Sequence, residues 1–160
     1  MGTVKSNMIK VMFVCLGNIC RSPMAEFIFK DIVRRRGGSF EIASSATSSE
    51  EEGNAVYAPA AQMLARHGIS CAGKRAVRFT PADYAHYDYI LCMEGRNVRS
   101  LHRVTGGDPD GKIRRLLDFS DHPRDISDPW YTRDFQTAYD DIVEGCEAFY
   151  DYLQREGKLS

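Results

Sequence analysis

The chain has no apolar run longer than the six residues Val11–Leu16, far short of the ~20 needed to cross a bilayer. A membrane-spanning helix is therefore not expected, and neither is a membrane partner. Charge of one sign is also lacking: 21 basic side chains face 22 acidic ones, for a formal net charge of −1. That balance argues against a protein whose main task is neutralising nucleic-acid phosphates, which wants a strongly basic face. Cysteine is sparse and odd in number, five without paired spacing, so free thiols in the cytoplasm are expected rather than a disulfide framework. The first residues, MGTVKSNMIK, carry no long apolar stretch before a small-residue cleavage site and no clear lipidation pattern. Residues 1–7 are expected to be a flexible lead-in. Internal repeats and low-complexity linkers are absent as well.

What remains is an ordinary globular composition. A chain of 160 residues, 43% apolar and 27% charged, can close one core, which predicts a single domain over residues 1–160. Met8–Val14 reads as a buried strand that stops at Gly17-Asn18. A helix follows, with Ser22 as N-cap, Pro23 at its first position, and Met24, Phe27, Ile28, Ile32 and Val33 on one face until Gly37-Gly38. Phe40–Ser45 is expected to be a second strand, Ala58–His67 a helix, and Tyr89–Met93 a third, fully buried strand. Short helices are expected from Thr80-Pro81 and near Asn97–Arg103, with an edge strand over Lys112–Asp118. From Phe135 the positions Phe135, Ala138, Tyr139, Ile142, Cys146, Phe149, Tyr150 and Leu153 fall on one stripe and predict a long final helix. The acidic run Glu50-Glu51-Glu52 is read as a solvated loop. Alternating strands and helices imply an α/β three-layer sandwich, a central parallel sheet of about four strands flanked by helices. In such sheets ligands bind beyond the carboxyl ends of the strands, which places residues 15–22 at a phosphate-binding loop after the first strand.

Those residues are CLGNICRS. Cys15 followed five positions later by Arg21 is weak as a bare spacing, and gains weight from its place between a buried strand and a helix start. Gly17 permits a tight turn, and the helix N-terminus aims free N–H groups into the loop. Backbone amides in such a turn form an anion nest, and Arg21 adds a planar fork for two phosphate oxygens. A positive setting of this kind favours the thiolate of Cys15. A thiolate beneath phosphorus is a nucleophile, and its leaving group then needs an acid. Of Asp121, Asp125, Asp128 and Asp134, Asp128 is the choice, because Pro129 rigidifies it and Trp130-Tyr131 place aromatic walls beside it.

VCLGNICRSPMAE together with the late DPWY resembles the low-molecular-weight protein tyrosine phosphatases, and SSATS, RHGI and FTPADYAHYDYILCM follow in the same order across residues 8–153. The resemblance implies Cys15 as a nucleophile forming a phosphocysteine, Arg21 as transition-state clamp and Asp128 as acid and then base, with no metal or cofactor. It implies that Asn18 and Ser22 brace the loop, that Leu16, Ile19, Trp130 and Tyr131 line a phenol slot, and that Gly17 and Cys20 belong to the substrate-binding loop. Cys20 matches a cysteine able to form a reversible disulfide with the nucleophile. Phosphotyrosine proteins would be the substrates, inorganic phosphate the product, and the protein a monomer or weak homodimer. Two positions depart from the family pattern. A rim aromatic is replaced by Ser49-Glu50, and a loop-supporting histidine by Lys74. His67, His86, His102 and His122 are read as surface or packing residues. Two other readings stay open: an arsenate reductase on the same scaffold, with Cys71 and Cys92 as the only relay candidates, and a phosphate-binding module without turnover.

Overall fold

The computed structural model describes residues 8–159, so the expected lead-in at 1–7 lies outside the described residues. The first strand, β1, spans Ile9–Cys15, where β-branched and apolar residues dominate. Helix α1 (Arg21–Arg36) follows, then strand β2 (Phe40–Ala46) and helices α2 (Ala58–Arg66) and α3 (Pro81–His86). Strand β3 (Tyr89–Cys92), helix α4 (Gly95–Thr105), strand β4 (Ile113–Arg115), helix α5 (Pro129–Thr132) and helix α6 (Phe135–Arg155) complete the order. All strand pairings are parallel and run β2-β1-β3-β4. The predicted α/β sandwich with a four-stranded parallel sheet is the fold observed.

Side chains alternate across β1 with the period of two that a strand dictates. Val11, Phe13 and Cys15 enter a core shared with α1, α2 and α6, whereas Met12 and Val14 enter a second core with Phe79, Tyr87 and Leu101 near α3 and α4. Three layers result, with both sheet faces covered. Phe29 of α1 ties the larger core together: its ring lies 5.8 Å from Phe13, 5.2 Å from Phe40 and 5.4 Å from Phe149. On α6 the whole predicted stripe from Phe135 to Leu153 is buried.

Two expectations are corrected. Ser22 is not the N-cap of α1, nor Pro23 its first residue; the cap position is Cys20, without a side-chain cap, so Ser22 and Pro23 are the second and third residues of the helix. The Ser22 hydroxyl is taken up instead by the loop before the helix, as described below. The edge strand is only Ile113–Arg115, because Leu116–Phe119 winds into a 3-10 turn that buries Leu116 and Leu117. Apolar side chains at consecutive positions reach the same core more readily in a tight turn than in a strand, which would send them to opposite faces.

Leu116 also fixes the approach of α6. A Cβ on Gly145 would stand 2.5 Å from Leu116 Cγ, and Leu116 is fully buried. Gly145→Ala is expected to lose about 1–3 kcal/mol to overpacking, more than the ~1 kcal/mol alanine gains over glycine in a helix. Urea denaturation reads the sign: an unchanged or raised midpoint would show that the helix moves freely off the 3-10 turn.

Candidate active site

The carboxyl ends of β1 and β3 lie side by side at the centre of the sheet, and the loops leaving them build the site. Residues 16–20 after β1 form a bent loop that ends at the uncapped N-terminus of α1, whose first amides have no partners within the helix. Asn18 sits at φ 58°, a left-handed conformation that asparagine adopts more readily than most residues and that still costs free energy. Its side chain offsets that cost. Asn18 Nδ2 donates to Ser22 Oγ at 2.7 Å and to Ser44 Oγ at 3.0 Å, while Asn18 Oδ1 accepts from the Val77 amide at 3.1 Å. Asn18 is 1% exposed and Ser22 is fully buried, so both brace the loop from behind and neither lines the cleft.

The folded loop surrounds one sulfur. Cys15 Sγ accepts from the amides of Asn18 at 3.3 Å and Ser22 at 3.4 Å, and lies 3.0 Å from Ser22 Oγ. These contacts suit a negatively charged acceptor.

Arg21 is 1% exposed. Nη1 donates to Glu94 Oε2 at 2.6 Å and to the Ile126 carbonyl at 2.8 Å, and Nη2 donates to Asp128 Oδ2 at 3.2 Å. A guanidinium has five N–H donors, so Nε and one Nη2 proton are left over. They share one edge of the planar fork, the arrangement that meets two oxygens of a phosphate. Burial works against the charge on Arg21, yet Cys15, Asp128 and Glu94 around it raise its pKa above the ordinary value.

Asp128 caps α5 by accepting the Trp130 amide on Oδ1 at 3.0 Å, which leaves Oδ2 toward Arg21. Cys15, Leu16, Gly17, Ile19, Cys20, Arg21, Asp128, Trp130 and Tyr131 line a single cleft. Trp130 is 44% and Tyr131 73% exposed, so their rings stand as walls open to an incoming group, and Trp130 leans on Tyr57 with centroids 4.8 Å apart. Cys20 shares the cleft but is pushed up to about 12, first by burial and then by Cys15 and Asp128.

The expected loop, clamp and carboxylate thus come together. Glu50 lines the mouth, where the resemblance put Ser49-Glu50 in place of a rim aromatic, and Glu51 joins it, which corrects the reading of Glu51 as part of a merely solvated loop; Glu52 stays outside. Glu94 was missed by the sequence reading. The signal for it was available, because it lies just beyond the carboxyl end of β3, where open sheets place their ligand contacts. All four histidines are exposed; His67 stacks on Tyr139 and His86 meets Glu41. Among the described residues no group of three or more His, Cys, Asp or Glu is placed to hold a metal ion, and no helix is long and apolar enough to cross a membrane.

The family model for the low molecular weight phosphotyrosine protein phosphatase matches residues 10–159. The low molecular weight protein-tyrosine-phosphatase YfkJ of Bacillus subtilis is 38% identical over 156 residues, covering 95% of this chain and 100% of that protein. Its crystal structure superposes with a TM-score of 0.91 at 36% identity, covering 96% of this chain and 99% of that one. The low molecular weight phosphotyrosine protein phosphatase of Gallus gallus is 39% identical over 155 residues, 92% of this chain and 95% of that protein. A Drosophila arginine phosphatase also shares the fold, with a TM-score of 0.85 at 30% identity, covering 91% of this chain and 98% of that one.

Asn18 offers a direct test of the loop. Asn18→Ala loses both the carboxamide and the tolerance for positive φ, and is expected to destabilise the protein by about 1–3 kcal/mol. Asn18→Gly keeps the backbone freedom but leaves Ser22 and Ser44 without their donor, so its unfolding midpoint should fall between those of the alanine variant and the parent. Equal midpoints for all three proteins would contradict the bracing role.

Proposed function

The chain belongs to the low molecular weight phosphotyrosine protein phosphatases, and we propose that it is a single-domain enzyme hydrolysing phosphotyrosine in proteins through a phosphocysteine on Cys15. One observation carries this reading. Cys15, its sulfur held by two amides and the Ser22 hydroxyl, lines the same cleft as Arg21 and Asp128.

In the first step the Cys15 thiolate attacks phosphorus, the bond from phosphorus to the phenol oxygen breaks, and Asp128 gives its proton to that oxygen. Arg21 and the loop amides hold the equatorial oxygens, where charge gathers in the transition state. In the second step Asp128 takes a proton from water, the water oxygen attacks phosphorus, and the sulfur–phosphorus bond breaks. Inorganic phosphate leaves and the thiolate is restored. Two displacements replace one slow hydrolysis. Asp128 takes one Nη2 proton of Arg21 in this structure, which leaves the Nε proton and the second Nη2 proton for an arriving phosphate.

The apolar lining by Ile19, Trp130 and Tyr131 favours a phenyl ring over a short serine side chain. Five free cysteines suit a reducing, cytoplasmic setting. Cys20 lies in the cleft as the candidate disulfide partner for an oxidised Cys15.

Turnover of p-nitrophenyl phosphate and of a phosphotyrosyl peptide, with and without EDTA, tests the proposal. Cys15→Ser is expected to abolish both activities, and EDTA to change neither. Asp128→Asn should lower kcat by about 10²–10⁴-fold on the peptide, and less on p-nitrophenyl phosphate, whose leaving group is more acidic than a tyrosine phenol at about 10. Residual wild-type rates in Cys15→Ser would refute the mechanism. Iodoacetamide near neutral pH should label Cys15 and leave Cys20 unmodified, since Cys20 is pushed up to about 12; mass spectrometry of the labelled peptides decides it.

A further inference from the structure

Behind the loop, on the side away from the cleft, stands a buried ion pair that the mechanism above does not use. Lys74, with its side chain 12% exposed, has Nζ 3.5 Å from Glu26 Oε1 and donates to the Ser44 carbonyl at 2.9 Å. Glu26 is 6% exposed in its side chain and receives Lys30 Nζ on its other oxygen at 2.7 Å. Ser44 Oγ donates to Glu26 Oε1 at 2.6 Å.

The order of these bonds has a direction. An ionised carboxylate only accepts, so the single hydroxyl proton of Ser44 points at Glu26. The lone pairs of Ser44 are then left for Asn18 Nδ2, 3.0 Å away. Because Asn18 Oδ1 takes the Val77 amide, the carboxamide cannot turn over without losing bonds at both ends. Its second Nδ2 proton goes to Ser22 Oγ at 2.7 Å. Ser22 Oγ, having accepted, keeps its own proton for Cys15 Sγ at 3.0 Å or the Ser45 carbonyl at 3.3 Å. The sulfur is the closer of the two, and the better acceptor once ionised.

We infer that Lys74 is a positioning residue: bonded to the Ser44 carbonyl and paired with Glu26, and acting with Lys30, it keeps the Glu26 carboxylate as the acceptor for Ser44 and so fixes the direction of the Glu26-Ser44-Asn18-Ser22 chain, which ends as a hydrogen-bond donor to the Cys15 sulfur. The inference rests on the phosphatase reading and adds to it a residue that touches neither substrate nor nucleophile. The titratable groups facing Lys74 are Glu26 and Lys30 from α1 and Cys15 from the end of β1. Those facing Cys15 are Lys74, Arg21 of α1, Cys20 of the loop and Cys92 of β3. Burial lowers the pKa of Lys74, opposed by Glu26. The ion pair thus offsets part of the desolvation cost on Lys74.

The experiment compares Lys74→Met, Lys74→Gln and Lys74→Arg with the parent, each first checked for cooperative unfolding. Two rates are followed across pH: iodoacetamide alkylation of Cys15, and kcat/KM on p-nitrophenyl phosphate. Both neutral variants are expected to lose about tenfold in each rate near pH 6, equivalent to one pH unit, with KM little changed and the deficit narrowing as pH rises. Lys74→Arg should restore most of the loss. Glu26→Gln/Lys74→Met should also recover activity, because a glutamine oxygen still accepts from Ser44 and the carboxylate that faced Lys74 is removed together with it. A folded Lys74→Gln protein with the parent's alkylation rate overturns the inference. So does a deficit equal at every pH, which would mark a general packing defect. If the parent fails to turn over, or Cys15→Ser retains activity, the phosphatase reading fails, and the alkylation profiles alone then decide the role of Lys74.

Discussion

Everything at this site depends on the carboxamide of Asn18. A residue other than glycine held at φ 58° is a conformation the chain leaves unless something holds it there. Three hydrogen bonds, to Ser22, Ser44 and the Val77 amide, do so from inside the protein, where water cannot compete. With that turn in place, the amides of Asn18 and Ser22 converge on one sulfur and α1 begins with its open end toward the cleft. Relaxing the turn would scatter those donors, whatever the state of Cys15 or Arg21.

The second constraint is electrostatic. A guanidinium that is 1% exposed is costly to bury unless its donors are met and its charge is matched. Glu94 from the end of β3, the Ile126 carbonyl and Asp128 before α5 supply this. Only a parallel sheet with β1 and β3 adjacent brings these segments, 73 to 107 positions from Arg21 in the chain, to one point. The partners also fix which edge of the fork stays free. Fold, charge balance and direction of approach are here one arrangement. Each contact named above has a physical reason to be there.

Much of this was legible in the residues. The run from Met8 to Val14, the turn at Gly17-Asn18 and the stripe from Phe135 to Leu153 each carry a local periodicity strong enough to specify their element. Ser22 misled, because the capping rule is local and the hydroxyl is recruited by Asn18 and Cys15, partners that only the folded loop provides. Leu116 and Leu117 looked like strand residues, and the core beneath α6 wound them into a turn. Glu94 carries no motif, and its importance follows from topology alone. Lys74 was noticed as a departure from the family pattern, but its partners Ser44 and Glu26 stand 30 and 48 positions away, a pairing that no spacing rule encodes. Glu50 was placed on the rim only through the resemblance and Glu51 was judged by composition; the Ser48 amide bonded to the Leu16 carbonyl ties their loop to the phosphate-binding loop.

The central claim is that phosphorus passes through a covalent bond to one sulfur. It is tested most directly by mixing Asp128→Asn protein with p-nitrophenyl phosphate, quenching in acid within a turnover and mapping the digest by mass spectrometry. The account predicts a phosphoryl group on the peptide containing Cys15, lost on prolonged incubation and absent from the Cys15→Ser/Asp128→Asn protein. Steady release of nitrophenol with no phosphoryl adduct at any quench time, or an adduct on a different residue, would contradict it.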